Sequence, residues 1–403
     1  MRRAAHHPAR GDALDWPGMK PAVVCVGDSG INGLATVRSL GRRGIAAHVV
    51  ALAGSAQIAS ASRYCRGFTP ARDLASLAQT LLALPSGVLY VDNDPMLKAL
   101  APHAEALGRR FAVVDPLADA PRLTDKAWQM RIAQKAGVAV PRSWFPRSWE
   151  ELLSLSSAKR LIAKPLGARL EFKALVAPTA AHLAAALRGH AAAPTDVLVQ
   201  EFVEGDDAQI YTALCYRAKS RDQCFVLSAR KLRQTRPGAG VMAVGQVVDA
   251  PQVREMTRRL AKAAGAYGAF CTEFKLDPRD GRYYFIEWNP RPAYFQSIGW
   301  RAGFDLPWIA YCDQAEPDRL AAMQSSFSGE HYWINLHGDL ANLSRLPRRA
   351  AAAWRPYLGP AEWAVFAPDD LAPWRKATRQ LGAWLLRRRP FGRALARLSV
   401  RRA

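Results

Sequence analysis

Glu273 lies in Thr272-Glu-Phe-Lys-Leu276, and Glu287 and Asn289 lie in Phe285-Ile-Glu-Trp-Asn-Pro-Arg291. Side chains alternate along an extended chain, so Glu287, Asn289 and Arg291 share one face if that conformation persists through Pro290. The connecting Asp277-Pro-Arg-Asp-Gly281 carries the Pro and Asp-Gly chemistry of a hairpin turn, which brings Glu273 roughly opposite Glu287. Two carboxylates and an amide oxygen are hard ligands of the kind Mg²⁺ takes, with phosphate oxygens completing the shell. Arg291 at the edge offers a planar fork for a phosphate or a developing oxyanion. A single Glu here would read as a solvated polar face. The grouped Glu-x-Asn-x-Arg, backed by apolar Phe274, Phe285 and Trp288, favours a site.

Two further segments carry polar groups at strand ends. Lys164 closes Leu161-Ile-Ala-Lys164 just before Pro and Gly, a position from which an ammonium can meet phosphates. The apolar Leu198-Val-Gln-Glu201-Phe-Val203 runs into Glu-Gly-Asp-Asp207, which suits a hinge between two lobes. There Glu201 to Val203 could meet an adenine edge and Asp207 a ribose hydroxyl.

The elements that must hold these groups are legible from periodicity. Ala22–Gly27 reads as a buried strand, Leu34–Leu40 as a helix and Ala46–Ala51 as a second strand, a βαβ unit continued by Val88–Val91 and Phe111–Val114 in one parallel sheet. The glycines at 27, 30 and 33 lack the G-x-G-x-x-G spacing, and the second strand ends without an acid, so a tight strand-to-helix turn is favoured over dinucleotide binding. Lys126–Ala136 has helical periodicity, as does Pro251–Ala264. Between them the chain is strand-rich: Leu161–Lys164, Val197–Phe202, Ala208–Tyr216 and Gln223–Arg230, followed by the hairpin strands Cys271–Leu276 and Arg282–Trp288. Beyond about Ala315 no clear period is visible.

In this order, Asp125-Lys126, Lys164-Pro, Gln200-Glu201-Phe-Val-Glu-Gly-Asp-Asp207, Glu273 and Glu287-x-Asn289-Pro-Arg291 resemble the ATP-grasp superfamily over roughly Leu123 to Asp313. Within it the chain looks most similar to carboxylate–amine ligases related to D-aspartate ligase and to the ATP-binding half of carbamoyl-phosphate synthetase. The resemblance implies α/β and α+β architecture: a Rossmann-like parallel-sheet domain over residues 21–115, then a two-lobed ATP-grasp fold over 116–316. A C-terminal segment with a basic tail fills 317–403. It further implies ATP and Mg²⁺ as cofactors, two ions, with Mn²⁺ as an alternative. Lys126 and Lys164 would hold the phosphates, Glu201 and Val203 the adenine, Asp207 the ribose, and Glu273, Glu287 and Asn289 the metal. Lys231 and Arg233, just before the Gly-rich run ending at Gly240, would meet the γ-phosphate or the acid, and Arg291 would steady an oxyanion. One departure is the lid after Lys164, where Leu166-Gly-Ala-Arg169-Leu-Glu-Phe-Lys173 has a single Gly.

The implied reaction is an ATP-dependent ligation of a small-molecule carboxylate to an amine. The alternatives are phosphate transfer without ligation, or a basic protein that binds nucleic acid or an anionic membrane. The charge of +22 suggests the last of these, but the segment from Leu371 onward carries nine Arg and one Lys with no acid, so +10 of it sits there. Nucleic acid is therefore not the expected partner, and any membrane contact would run through that tail, whose Trp384, Leu385, Leu386 and Phe391 accompany Arg387 to Arg389. Half the residues are hydrophobic, which excludes disorder as the main state, and no apolar run spans a bilayer. Six cysteines without a C-x-x-C pair argue against a zinc ribbon and fit a reducing cytoplasm. Residues 1–20 lack the apolar core of a secretory signal and read as an extension ahead of Met19.

Overall fold

The computed structural model describes residues 21–388, apart from 28, 29, 56, 168, 169, 237, 239, 325, 326, 328 and 344–350. The expected N-terminal extension, Arg169 in the lid and the end of the tail, including Arg389 and Phe391, lie outside the described residues.

The expected parallel strands are present and a fifth joins them. β1 (Ala22–Val26), β2 (Ala47–Leu52), β3 (Cys65–Ala71), β4 (Gly87–Val91) and β5 (Phe111–Val113) form one sheet in the order β3-β2-β1-β4-β5. β1 and β4 are buried at every position, and their Val-rich runs suit strands covered on both faces. β3 lies at an edge, is largely solvent-facing and contains Pro70, which is why its sequence gives no apolar run. The carboxylate of Asp92 accepts from the Gly27 amide at 2.6 Å and the Gly33 amide at 3.0 Å, so the protein supplies its own anion at the start of the helix after β1. A Cβ on Gly33 would lie 2.4 Å from Val26, so that glycine lets helix Ile31–Gly41 approach the sheet.

Two further sheets follow, the smaller antiparallel throughout and the larger antiparallel except for its last pair of strands. The smaller has the order β6 (Ser143–Trp144), β9 (Val197–Glu201), β7 (Leu161–Pro165), β8 (Leu175–Ala177), with its own apolar core of Leu152, Leu161, Leu183, Leu187 and Val199. The larger runs β14 (Arg282–Asn289), β13 (Gly268–Asp277), β10 (Ile210–Arg217), β11 (Cys224–Gln234), β12 (Met242–Val247), β15 (Tyr332–Ile334), β16 (Ala361–Trp363). The strand expected from Ala208 starts at Ile210, because Asp206 caps a short turn Asp207–Gln209 ahead of it. Helix Pro251–Ala264 forms as expected and covers β10 and β11 through Val253, Leu260 and Ala264.

The C-terminal segment is more ordered than its composition suggests. β15 pairs with β12 and β16 with β15, so the large sheet runs through the boundary expected at 316. Its return to the first domain is fixed by a buried pair. Arg38 of helix Ile31–Gly41 donates to Asp370 at 2.9 Å and to the Val365 carbonyl at 2.8 Å. Helix Ala372–Arg388 closes the described chain. Among the described residues no helix is long and apolar enough to cross a membrane.

Candidate active site

A cavity of about 640 Å³ opens between the four-stranded and the seven-stranded sheet. Nine of the eleven residues picked from sequence line it: Lys126, Lys164, Glu201, Val203, Lys231, Glu273, Glu287, Asn289 and Arg291. Asp207 and Arg233 do not.

The hairpin delivers the acidic groups. β13 and β14 pair in antiparallel register with Glu273 opposite Glu287 and Cys271 opposite Asn289. Strict alternation would place Phe285 beside Glu287 on the cavity face. Instead the next pair after Glu273–Glu287 is Phe274–Phe285, which leaves Ile286 as an extra residue in a β-bulge. The bulge turns Phe285 into the core against Phe274, with ring centroids 5.9 Å apart, while Ile286 and Glu287 both reach the cavity. A buried amide then fixes the hairpin to helix Lys126–Lys135. Gln129 donates to the carbonyls of Leu123 and Trp288 at 2.7 and 2.8 Å and accepts from the Trp288 amide at 3.1 Å. Asp125 caps that helix through the amides of Ala127 and Trp128, which places Lys126 at its first position.

The cations are spaced around these acids. Lys231 on β11 is buried, and its ammonium donates to Glu273 at 2.8 Å. Lys164 at the end of β7 lies within 3.4 Å of the Ile286 carbonyl. Burial pulls its ammonium down to about 8, with the Glu287 carboxylate opposing that shift and Lys126 adding to it. Arg291 donates to Asp94 at 3.0 Å and to the Asn289 side-chain oxygen at 3.4 Å. Asp94 belongs to the first domain, so that domain closes one end of the cavity. Glu201, the last residue of β9, accepts from the Ser157 hydroxyl at 3.0 Å.

The two residues outside the lining have other partners. Asp207 accepts from the Gln234 amide and side chain at 3.1 and 2.7 Å and from the Gly238 amide at 3.0 Å, tying the loop after β11 to the turn before β10. Arg233 is turned to the C-terminal segment, where it pairs with the buried Asp339 at 2.7 Å and stacks over Tyr357. Neither lines the cavity, where the resemblance implies a ribose contact for Asp207 and a γ-phosphate or acid contact for Arg233.

Sequence reasoning missed Asp94, Lys98, Gln129 and Lys275, all of which line the cavity. Asp94 follows the carboxyl end of β4, the place where open parallel sheets bind ligands, and that rule would have found it. Lys275 stands two residues after Glu273 on the same strand, so alternation pointed to it, and it donates to the Gly205 carbonyl at 2.8 Å. Gln129 had no signal, because a lone Gln in a helix is ordinarily solvated.

No protein-family model and no curated protein sequence matches the chain. Solved structures do match in fold. One is N5-carboxyaminoimidazole synthetase from Staphylococcus aureus complexed with ADP, at TM-score 0.63 and 14% identity, covering 86% of this chain and 89% of that one. A biotin carboxylase β,γ-ATP complex from Campylobacter jejuni matches at 0.60 and 15%, covering 78% and 74%. An L-amino acid ligase from Bacillus licheniformis matches at 0.58 and 14%, covering 75% and 76%. Identities this low establish architecture alone: the chain has the ATP-grasp fold, preceded by a parallel-sheet domain.

Proposed function

We propose that the chain is an ATP-dependent ligase that activates a carboxylate as an acyl phosphate and joins it to an amine. The observation that carries this reading is the convergence of Lys126, Lys164, Glu273, Glu287, Asn289 and Arg291 on one cavity. The substrate carboxylate would attack the γ-phosphorus, releasing ADP. The amine nitrogen would then attack the acyl carbon, giving amide, phosphate and a proton. No protein nucleophile is needed, so the task of the side chains is positioning and charge stabilisation.

Lys126 and Lys164 would hold the phosphates, and the strand through Glu201 and Val203 would line the adenine. Glu273, Glu287 and Asn289 form an all-oxygen donor set that fits Mg²⁺. Among the described residues no three His, Cys, Asp or Glu side chains gather for a metal, so phosphate and water would complete the shell. Mg²⁺ bound there would neutralise phosphate charge. Lys231 orients Glu273 through their ion pair, and Arg291 would leave Asp94 to steady the oxyanion on the acyl carbon. Walls on both sheets would keep water from the acyl phosphate. The ribose contact for Asp207 and the catalytic role for Arg233 are not retained, since other side chains occupy both groups.

The test is ADP release with amino acids, other small acids and amines supplied in pairs with Mg²⁺. Release should require both an acid and an amine. Glu287→Ala should lower it on the order of 100-fold, the scale of losing a group that stabilises transition-state charge. Normal turnover in that variant would remove the metal assignment. A phosphorylated product formed without any amine would replace ligation by phosphate transfer.

A further inference from the structure

Away from the cavity, β10 and β11 bring two cysteines together. Cys224 pairs with Arg217 and Cys215 with Val226, so the two thiols project from the same sheet face on a diagonal of the ladder. Their sulfurs are 3.4 Å apart, a thiol–thiol contact without a bond. Cys215 is fully buried in the core beneath helix Pro251–Ala264, whereas Cys224 is partly exposed at the start of its strand.

We propose that Cys224 and Cys215 form a modification site for hydroperoxides, with Cys224 as the attacking thiol and Cys215 as the resolving one. The Cys224 thiolate attacks one oxygen of the peroxide. An S–O bond forms, the O–O bond breaks, and the leaving oxygen takes a proton to become water or an alcohol. Cys215 then attacks the Cys224 sulfur. The S–S bond forms, the S–O bond breaks, and the hydroxide leaves as water with the Cys215 proton. Two thiols are oxidised by two electrons and one peroxide is reduced.

Three observations separate this pair from the remaining cysteines. Cys25, Cys271 and Cys312 are buried, and burial pushes their thiols up, Cys271 and Cys312 to about 12. Cys65 is partly exposed but donates to the Gly67 carbonyl, and burial raises its thiol as well. Cys224 moves the other way. The hydrogen bond from Cys215 draws its thiol down, against the opposing effect of burial, and the guanidinium groups of Arg258 and Arg217 assist. Accessibility, a thiol drawn below its ordinary value and a resolving partner at contact distance occur together only at this pair.

The experiment treats the full chain with hydrogen peroxide and then alkylates free thiols under denaturing conditions. Peptide mapping should show a Cys215–Cys224 linkage, a loss of two hydrogens in mass, and recovery of both thiols after dithiothreitol. Cys215→Ser should stop the reaction at a sulfenic acid on Cys224 that dimedone traps. Cys224→Ser, at the more exposed position, should protect Cys215 from oxidation even if the buried substitution disturbs folding. Cys65→Ser should leave the linkage unchanged. Oxidation at Cys65 ahead of the pair, or Cys215 oxidising normally in Cys224→Ser, would overturn the proposal.

Discussion

Lys164 sits where its charge is useful to a polyanion and poorly solvated without one. Its ammonium is drawn down to about 8 by burial, and a phosphate in the cavity would reverse part of that shift. The sign follows: the protonated form binds anions, so nucleotide affinity is retained below pH 8 and lost above it. Between pH 7 and 9, ATP binding measured without divalent metal should weaken about tenfold, the full effect of one proton with that midpoint. Lys164→Arg should flatten the profile, because a guanidinium keeps its charge across the range. Arg291 makes a second residue-scale case. Its fork is held by the Asp94 carboxylate at 3.0 Å, which in the proposed reaction would compete with the oxyanion on the acyl carbon. Asp94→Asn should raise kcat/KM for the acid several-fold while leaving ATP affinity unchanged. A change in ATP affinity instead would mean that the pair only props the domains.

At the scale of elements, the site depends on how β14 is seated. The bulge at Ile286 separates residues that strict alternation joins, sending Phe285 inward and Glu287 to the cavity. Gln129 then ties β14 to helix Lys126–Lys135 with two buried hydrogen bonds to the backbone of Trp288, and a third holds the Leu123 carbonyl. Gln129→Leu would preserve volume roughly but leave buried backbone groups of Leu123 and Trp288 unpaired. Each such group costs about 1–3 kcal/mol, so urea unfolding should register a loss of that size or larger. Activity should fall as well, because Lys126 and Glu287 sit at the two ends of that connection. The hairpin itself was legible: turn chemistry and alternation gave its strands and the Glu273–Glu287 pairing. The bulge was not, since an extra residue leaves no mark in a pattern of residue types. Nor were the partners of Asp207 and Arg233 visible, because each lies on an element distant in sequence.

For the whole molecule, the C-terminal segment and the first domain form one framework. Arg38 and Asp370 are both almost fully buried, and Asp370 also accepts from the Ser62 hydroxyl and the Arg63 amide. Breaking a buried pair by removing one partner strands the other charge, at about 3–5 kcal/mol. Asp370→Ala should therefore lower stability by that amount in denaturant unfolding. The conservative Asp370→Asn should lose less. A second bridge runs through Asn32, which donates to the Pro292 carbonyl at 2.7 Å and meets Gln296, so the segment after Arg291 is anchored on the first domain's helix. Within the C-terminal segment expected from 317, β15 and β16 extend the large sheet at its far edge.

Periodicity, turn chemistry and local spacing in the sequence indicated four strands of the parallel first sheet and the acidic hairpin, and the resemblance added others among the nine residues that line the cavity. The sequence also separated the net charge from the chemistry, by placing much of it in the tail. Only the tertiary structure decided which polar groups remain available. Asp92 fills the glycine turn, Asp339 takes Arg233, Gln234 takes Asp207, and Asp94 reaches across from another domain to Arg291. The physical reason is that a buried charge requires a partner, and that partner is set by packing between elements far apart in the chain.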